Sequence, residues 1–176
     1  MGLADVRTNA GTLLADSPAF RTLVGAATRA AALLKIHWFG PPAAAGDAYT
    51  PAEYLALLPY AVVAPNGYRL SWSAVGQNEE SGRVPILIEQ AVANLGAADD
   101  EDSTVLIAWE THVDAIMDEL ASLSHTQPAT GNYLADVTPE LSPNSFGRTE
   151  FRRRLSETDL VGVEIVLSFG PGGAGE

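Results

Sequence analysis

The chain has no cysteine among its 176 residues, which excludes disulfides, thiolate metal sites and cysteine nucleophiles. No segment approaches the roughly 18 consecutive apolar residues that span a bilayer. The opening MGLADVRTNAGTLLADSP lacks a basic stretch followed by an uninterrupted apolar core. The expectation is a soluble protein that is not exported and does not engage a membrane. Basic residues are scarce, ten Lys and Arg against 22 Asp and Glu for a net charge of −12. Sequence-specific nucleic-acid binding needs basic groups against phosphates, so this balance argues against it.

What is present is apolar surface. Hydrophobic residues make up 47% of the chain and charged residues 18%, enough to offset chain entropy with one core in a chain of single-domain length. The acid is concentrated. Residues 77–125 carry eleven acidic groups and one basic group, whereas residues 1–76 carry four acidic and five basic groups. Such a block suits a solvated face or a surface that DNA must pass without sticking.

Residues 1–36 are rich in Ala and Leu and read as helical. Asp16-Ser17-Pro18 is a start signal, with Ser17 capping free backbone N–H groups and Pro18 tolerated in the first turn. Gly25 breaks that helix, and a short helix over 28–35 follows, with Phe20, Leu23, Val24, Leu33, Leu34 and Ile36 facing the core. Residues 36–39 form a short strand, and GPPAAAGDAYT (40–50) is a loop.

Three strand-like runs come next, at 59–65, 68–75 and 83–92. Pro65-Asn66-Gly67 predicts a hairpin between the first two, because Asn-Gly accepts positive φ at little cost. GQNEESG (76–82) reads as a polar, mobile loop. Val84, Ile86 and Ile88 share one face of the third strand, and Pro85, which cannot donate a ladder hydrogen bond, marks an edge or a bulge.

Acidic residues 99–102 precede a helix over 103–122, where they complement the positive end of its dipole. Leu106, Trp109, Val113, Ile116, Met117, Leu120 and Leu123 recur at three- and four-residue spacing, a stripe that packs on the sheet. A strand over 133–141, a long polar connection over 142–159 and a strand over 160–169 follow. In the last strand Val161, Val163, Ile165, Leu167 and Phe169 alternate onto one side. The final PGGAGE is expected to be disordered. The fold class is therefore α+β: a single domain over 1–170, mainly antiparallel sheet against one long amphipathic helix plus N-terminal helices (order α-β-β-β-α-β-β), with 171–176 a flexible tail.

Chemistry-bearing constellations are sparse. Glu110, Asp114 and Asp118 stack at four-residue steps on one face of the long helix. A solvated surface is the plain reading, and an acidic wall facing DNA or a basic partner the sharper one. Arg152, Arg153 and Arg154 form the one basic cluster, suited to a contact with the acidic block of a neighbouring copy. His37, His112 and His125 have no metal-ligand spacing, there is no Gly-x-Ser-x-Gly elbow, and the C-terminal glycines precede no helix. Neither an enzymatic activity nor a cofactor is expected.

The order helix, three antiparallel strands, long helix, two strands resembles the tail terminator (tail-completion) proteins of long-tailed bacteriophages and the related head-tail neck proteins. The stretches that carry it are DSPAFRTLVG with the following Ala-rich helix and KIHW, LPYAVVAP, and LVGVEIVLSFG ending at Gly170. The resemblance implies a virion protein, made in the host cytoplasm, that forms a ring, typically a homohexamer. Such a ring caps the head-proximal end of the tail tube, stops its polymerisation, meets the head connector and passes DNA through its lumen.

On that reading Glu110, Asp114 and Asp118 line the DNA channel, while Gln77, Asn78, Glu79, Glu80 and the three arginines contact partners or neighbouring subunits. Two alternatives stay open: another neck adaptor or tube-like subunit, and a small-molecule-binding α+β domain whose pocket gathers Trp38, Tyr49, Tyr54, Tyr68 and Trp72.

Overall fold

A computed structural model describes residues 3–38, 50–64, 69–72, 78–92, 104–126, 137–141, 152–155 and 158–169. Helix α1 (Leu3–Asp16) leads into α2 (Pro18–Leu23) through the predicted cap. The Ser17 hydroxyl accepts from the Phe20 N–H at 3.0 Å and donates to Glu119 Oε2 at 2.5 Å, and the same carboxyl oxygen accepts from the Ala19 N–H at 2.9 Å. The start of α2 is thus capped twice, once by the adjacent Ser17 and once by Glu119 of the long helix α5 (Thr104–Thr126). Helix α2 stops before Gly25, whose φ of 65° lies in the left-handed region that glycine enters without steric cost.

Helix α3 (Arg29–Leu33), capped by the Thr28 hydroxyl, is shorter than the 28–35 predicted. It turns only Ala32 inward, and Leu34 is 80% exposed, so the core-facing assignment of Leu33 and Leu34 is corrected.

Helices α1, α2, α3 and α5 cover one face of a sheet whose strands run in the order β1 (Ile36–Trp38), β2 (Tyr60–Val63), β4 (Asn78–Val92), β7 (Thr158–Phe169), β5 (Thr138–Leu141). Strand β3 (Arg69–Trp72) pairs with β4, and β6 (Arg152–Leu155) pairs with β7. Among the described residues only β1 and β2 run parallel, so the mainly antiparallel α+β fold stands.

The core face is built from Ala61, Val63, Val84, Ile86, Ile88, Val161, Val163, Ile165 and Leu167, as period-two alternation predicts. Onto it fold Trp109, Val113, Ile116 and Leu120 of α5, with Met117 and Leu123 at the margin. Each large apolar side chain buried this way contributes about 1.5–3 kcal/mol. The side chain of Leu106 lies outside the described residues.

The predicted β2–β3 hairpin does not form. Both strands lie antiparallel to β4, with Tyr60 opposite Glu89, Val63 opposite Ile86, Arg69 opposite Ser81 and Trp72 opposite Asn78. All four residues of β2 are buried. A strand covered on both faces belongs inside a sheet, where its two edges are taken by β1 and β4. The register of β3 on β4 is offset by one residue from that of β2.

Pro85 lies just past the pairing of β2 with β4. Its carbonyl accepts from the Ala64 N–H at 3.1 Å, which turns its donorless nitrogen toward the same side, just past the end of β2, while pairing with β7 continues through Val166. Of the two positions predicted for this proline, β4 is no edge strand; the bulge would involve residues 65–68, which lie outside the described residues.

Further corrections concern where strands begin. Strand β4 starts at Asn78, so the last five of the seven residues of GQNEESG are strand and not loop. The 142–159 connection contains β6 and the start of β7, and β5 begins at Thr138. One helix was absent from the predicted order. Helix α4 (Pro51–Leu57) opens on a capping box in which Thr50 and Glu53 each hold the other's backbone N–H. The chain then passes a cis Leu58–Pro59 bond into β2.

Candidate functional site

Three regions concentrate polar side chains or charged strand positions: the face beneath α4, the outer face of α5, and the strand segments at two corners of the sheet.

Helix α4 lies over the face of the sheet opposite the main core, and none of its residues is fully buried. It is tied down by hydroxyl chemistry. Glu89 is 5% exposed, and one of its carboxyl oxygens accepts from the Tyr54 hydroxyl at 2.5 Å and from the Tyr60 hydroxyl. The two phenol oxygens are 2.7 Å apart. Burial, followed by the bonds to Glu89 and Tyr54, pushes the Tyr60 hydroxyl far above the ordinary phenol range.

His37, on the same face, meets the Tyr60 ring edge-on at a centroid distance of 5.6 Å. Desolvation, and then the nearby Lys35 charge, hold its pKa below 6.5. Lys35 Nζ in turn donates to the Leu57 carbonyl at the end of α4, 3.3 Å away. The carboxyl oxygen and both hydroxyls are engaged with one another, so the cluster works as a clamp that holds α4 to the sheet.

A pH dependence follows with a definite sign. The folded state resists protonating His37, while the unfolded chain takes the proton near pH 6.5. Stability attached to neutral His37 is therefore complete above pH 6.5 and declines as the pH falls below it. Urea midpoints measured across that window should fall toward acid in the native protein and fall less in His37→Gln.

Of the aromatic residues predicted to line one pocket, Tyr54 lies beneath α4 and Trp38 on the other side of the sheet. The Trp38 ring lies so close to α1 that a Cβ at Gly11 would stand 2.5 Å from its Cη2, and the Arg7 guanidinium carbon lies 5.0 Å from the ring centre. The structure does not bring Trp38 and Tyr54 together. Tyr49 and Tyr68 lie outside the described residues, as does the side chain of Trp72.

On α5, Asp114 and Asp118 are exposed and Glu110 is half-buried beside the Trp109–Val113 stripe, so Glu110 flanks the outer face and does not share it fully. Glu119 points inward to cap α2. Ile107, 52% exposed, adds an apolar element to the outward side. Among the described residues no three His, Asp or Glu side chains are placed to hold a metal ion together, and no described helix is long and apolar enough to cross a membrane.

The remaining predicted contact residues fall on strands. Asn78, Glu79 and Glu80 lie in the first part of β4, which pairs with β3 and runs beyond the end of β7, since Phe169 pairs with Gly82. Residues 69–72 and 78–81 therefore form an arm: they pair with each other past the last described β4–β7 pair, Gly82 with Phe169. Gln77 lies outside the described residues. Arg152, Arg153 and Arg154 form most of β6, which pairs only with the start of β7 among the described residues.

No protein-family model and no curated protein matches this chain.

Sequence reasoning missed Glu89, Tyr60 and Glu119. Glu89 alternates with Leu87 and Ala91 on the face that a one-sided sheet would turn to water. The signal that would have marked it as covered is the Thr50-Pro51-Ala52-Glu53 capping box, which announces a helix ahead of β2.

Proposed function

We propose that this protein is a structural subunit of a bacteriophage virion, of the tail-terminator type: a ring at the head-proximal end of the tail tube that ends tube growth, meets the head connector and lets DNA through. The observation that carries this reading is the arm. Strands β3 and β4 pair over 69–72 and 78–81, past the last described pairing of β4 with β7 at Gly82, which places the acidic positions 79 and 80 at the end of the sheet, where a neighbouring subunit or tube protein could meet them.

The α+β frame agrees with the resemblance stated above, with antiparallel strands feeding one long helix and a returning central strand. The exposed Asp114 and Asp118, with Glu110 beside them, offer a surface that repels phosphates and would keep DNA from binding during passage.

Purified protein mixed with tail tubes should cap one end of each tube and appear as a closed ring in negative stain. Failure to bind tubes or any neck component would sink the reading. Replacing Glu110, Asp114 and Asp118 together by Lys should leave the fold intact, since none belongs to the buried stripe. It should also slow genome ejection severalfold by adding attraction for phosphates. Unchanged ejection would return this face to plain solvation.

A further inference from the structure

Among the described residues, the large apolar side chains left exposed are Leu33, Leu34, Trp38 and Ile107. Three of them come from one stretch of chain. Helix α3 turns only Ala32 inward, and Ala30, Leu33 and Leu34, which share a face at three- and four-residue spacing, all stay at the surface, Leu34 most of all. Ile107 does the same on α5, turned away from the buried Trp109, Val113 and Ile116. An apolar helix face left in water costs free energy that a partner recovers.

The two surfaces lie at opposite margins of the helical layer. Helices α1 and α2 pack against both α3 and α5; α5 also packs against β5, whereas α3 leads directly into β1. Four strand spacings separate β1 from β5, on the order of 20 Å at about 4.8 Å each. The margins also differ in charge. Residues 3–38 carry four basic and two acidic groups, with Arg29 half-exposed beside its ion-pair partner Asp16, while α5 carries four acidic groups and no Lys or Arg. Of those four acids only Glu119 faces inward to cap α2. Apolar surfaces of opposite charge at two margins of one layer do not meet within a chain, and a second copy set head to tail brings them together.

We propose that the α3 margin of one copy packs against the first turns of α5 in the next, Leu33 and Leu34 on Ile107, with the acid of α5 drawn to the basic side of the N-terminal helices. This deepens the subunit reading above and rests on it for the closure of copies into a ring; the contact itself requires only a second copy. Asp114 and Asp118 stand about 10 and 16 Å beyond Ile107 along the helix axis. The contact therefore takes the start of the outer face of α5 and leaves its acidic continuation for the lumen.

The chain has no native cysteine, so every disulfide must come from introduced thiols. Leu34→Cys and Ile107→Cys are prepared separately, mixed and oxidised mildly. A disulfide needs Cα atoms within about 7 Å, so a bond between these positions reports the contact. The expected result is a covalent heterodimer at least about tenfold over the self-dimers of either variant alone. A Leu34→Cys self-dimer of equal yield would mean that the α3 face meets its own copy symmetrically. No heterodimer at about 1 mM of each protein, where even a millimolar contact is populated, would mean that it meets no copy at all. Either result overturns the proposal.

Substitution at the same positions separates charge from apolar packing. Both side chains are exposed, so the variants should fold as the native protein does. Leu34→Glu sets a carboxylate against the acidic helix and should weaken self-association in sedimentation about tenfold or more, whereas Leu34→Lys should weaken it severalfold less. Mixing Leu34→Glu with Ile107→Arg should restore association, and equal losses for Glu and Lys with no rescue overturn the charge-selected contact. If a charged variant fails to fold, the cysteine pair still decides. A covalent heterodimer from a protein that caps no tubes would keep this contact and remove the ring. A ring that caps tubes but gives no heterodimer would do the opposite.

Discussion

Replacing Ile116 by alanine is expected to destabilise the protein by about 2–5 kcal/mol, the range for truncating a branched aliphatic side chain in a packed core. Ile116 is fully buried in the cluster where α5 meets the sheet, so the vacated space is bounded by side chains from several elements that cannot all collapse into it. Asp118→Ala, two positions on, is expected to stay within about 0.5 kcal/mol. Its side chain is exposed and lies one turn from Asp114, so removing it also relieves a like-charge pair. Chemical denaturation of the two variants reads the inward face of α5 directly, and comparable losses would mean that the helix does not present the face described.

The second large effect is expected at Glu89. Glu89→Ala removes the acceptor of two phenol hydroxyls and leaves a void beneath α4, at an expected cost of about 2–4 kcal/mol. Glu89→Gln should cost less, because its amide oxygen still accepts. The informative comparison is Glu89→Leu combined with Tyr54→Phe and Tyr60→Phe. Removing every polar member of a buried group together is often close to neutral, whereas removing one strands the others. That triple variant should recover most of the stability lost in Glu89→Ala, and hydrogen exchange in α4 should report whether the helix stays docked. If the triple variant is as unstable as the single one, packing and not hydrogen bonding holds the helix.

The parts of this fold that could be read from sequence are those where burial has a period. The α5 stripe, the alternation of β7 and the face shared by Val84, Ile86 and Ile88 each follow from one side of an element meeting the core and the other not. The start of α2 was legible because Ser17 and Pro18 act locally. The misreadings came where a long-range partner decided the outcome. Asn-Gly is a strong local turn signal, but β2 is buried on both faces and needs two strand neighbours, which β1 and β4 supply. Arg152, Arg153 and Arg154 look like a solvated connection until β7 supplies a ladder.

At the candidate sites, the charges of the arm and of β6 were visible from composition, but their placement at opposite corners required the register of β4 and β7. The clamp at Glu89 could not be read from the alternation of β4, which does not say that a helix covers its second face; its sequence signal lay in the capping box that starts α4.

The pairing of β4 with β7 also sets when the protein can fold. These strands form the middle of the sheet, yet Val92 and Asp159, the closest paired residues along the chain, are separated by all of α5 and more. Contacts so distant in sequence are slow to form, since a long loop must close before they begin to stabilise anything. During synthesis the N-terminal helices, β2, β4 and α5 emerge before the strand that completes their core, with the apolar faces of β4 and α5 waiting uncovered. Folding is then close to all-or-none on the arrival of β7, and a nascent chain interrupted before Thr158 lacks the strand that pairs with β4 along most of its length.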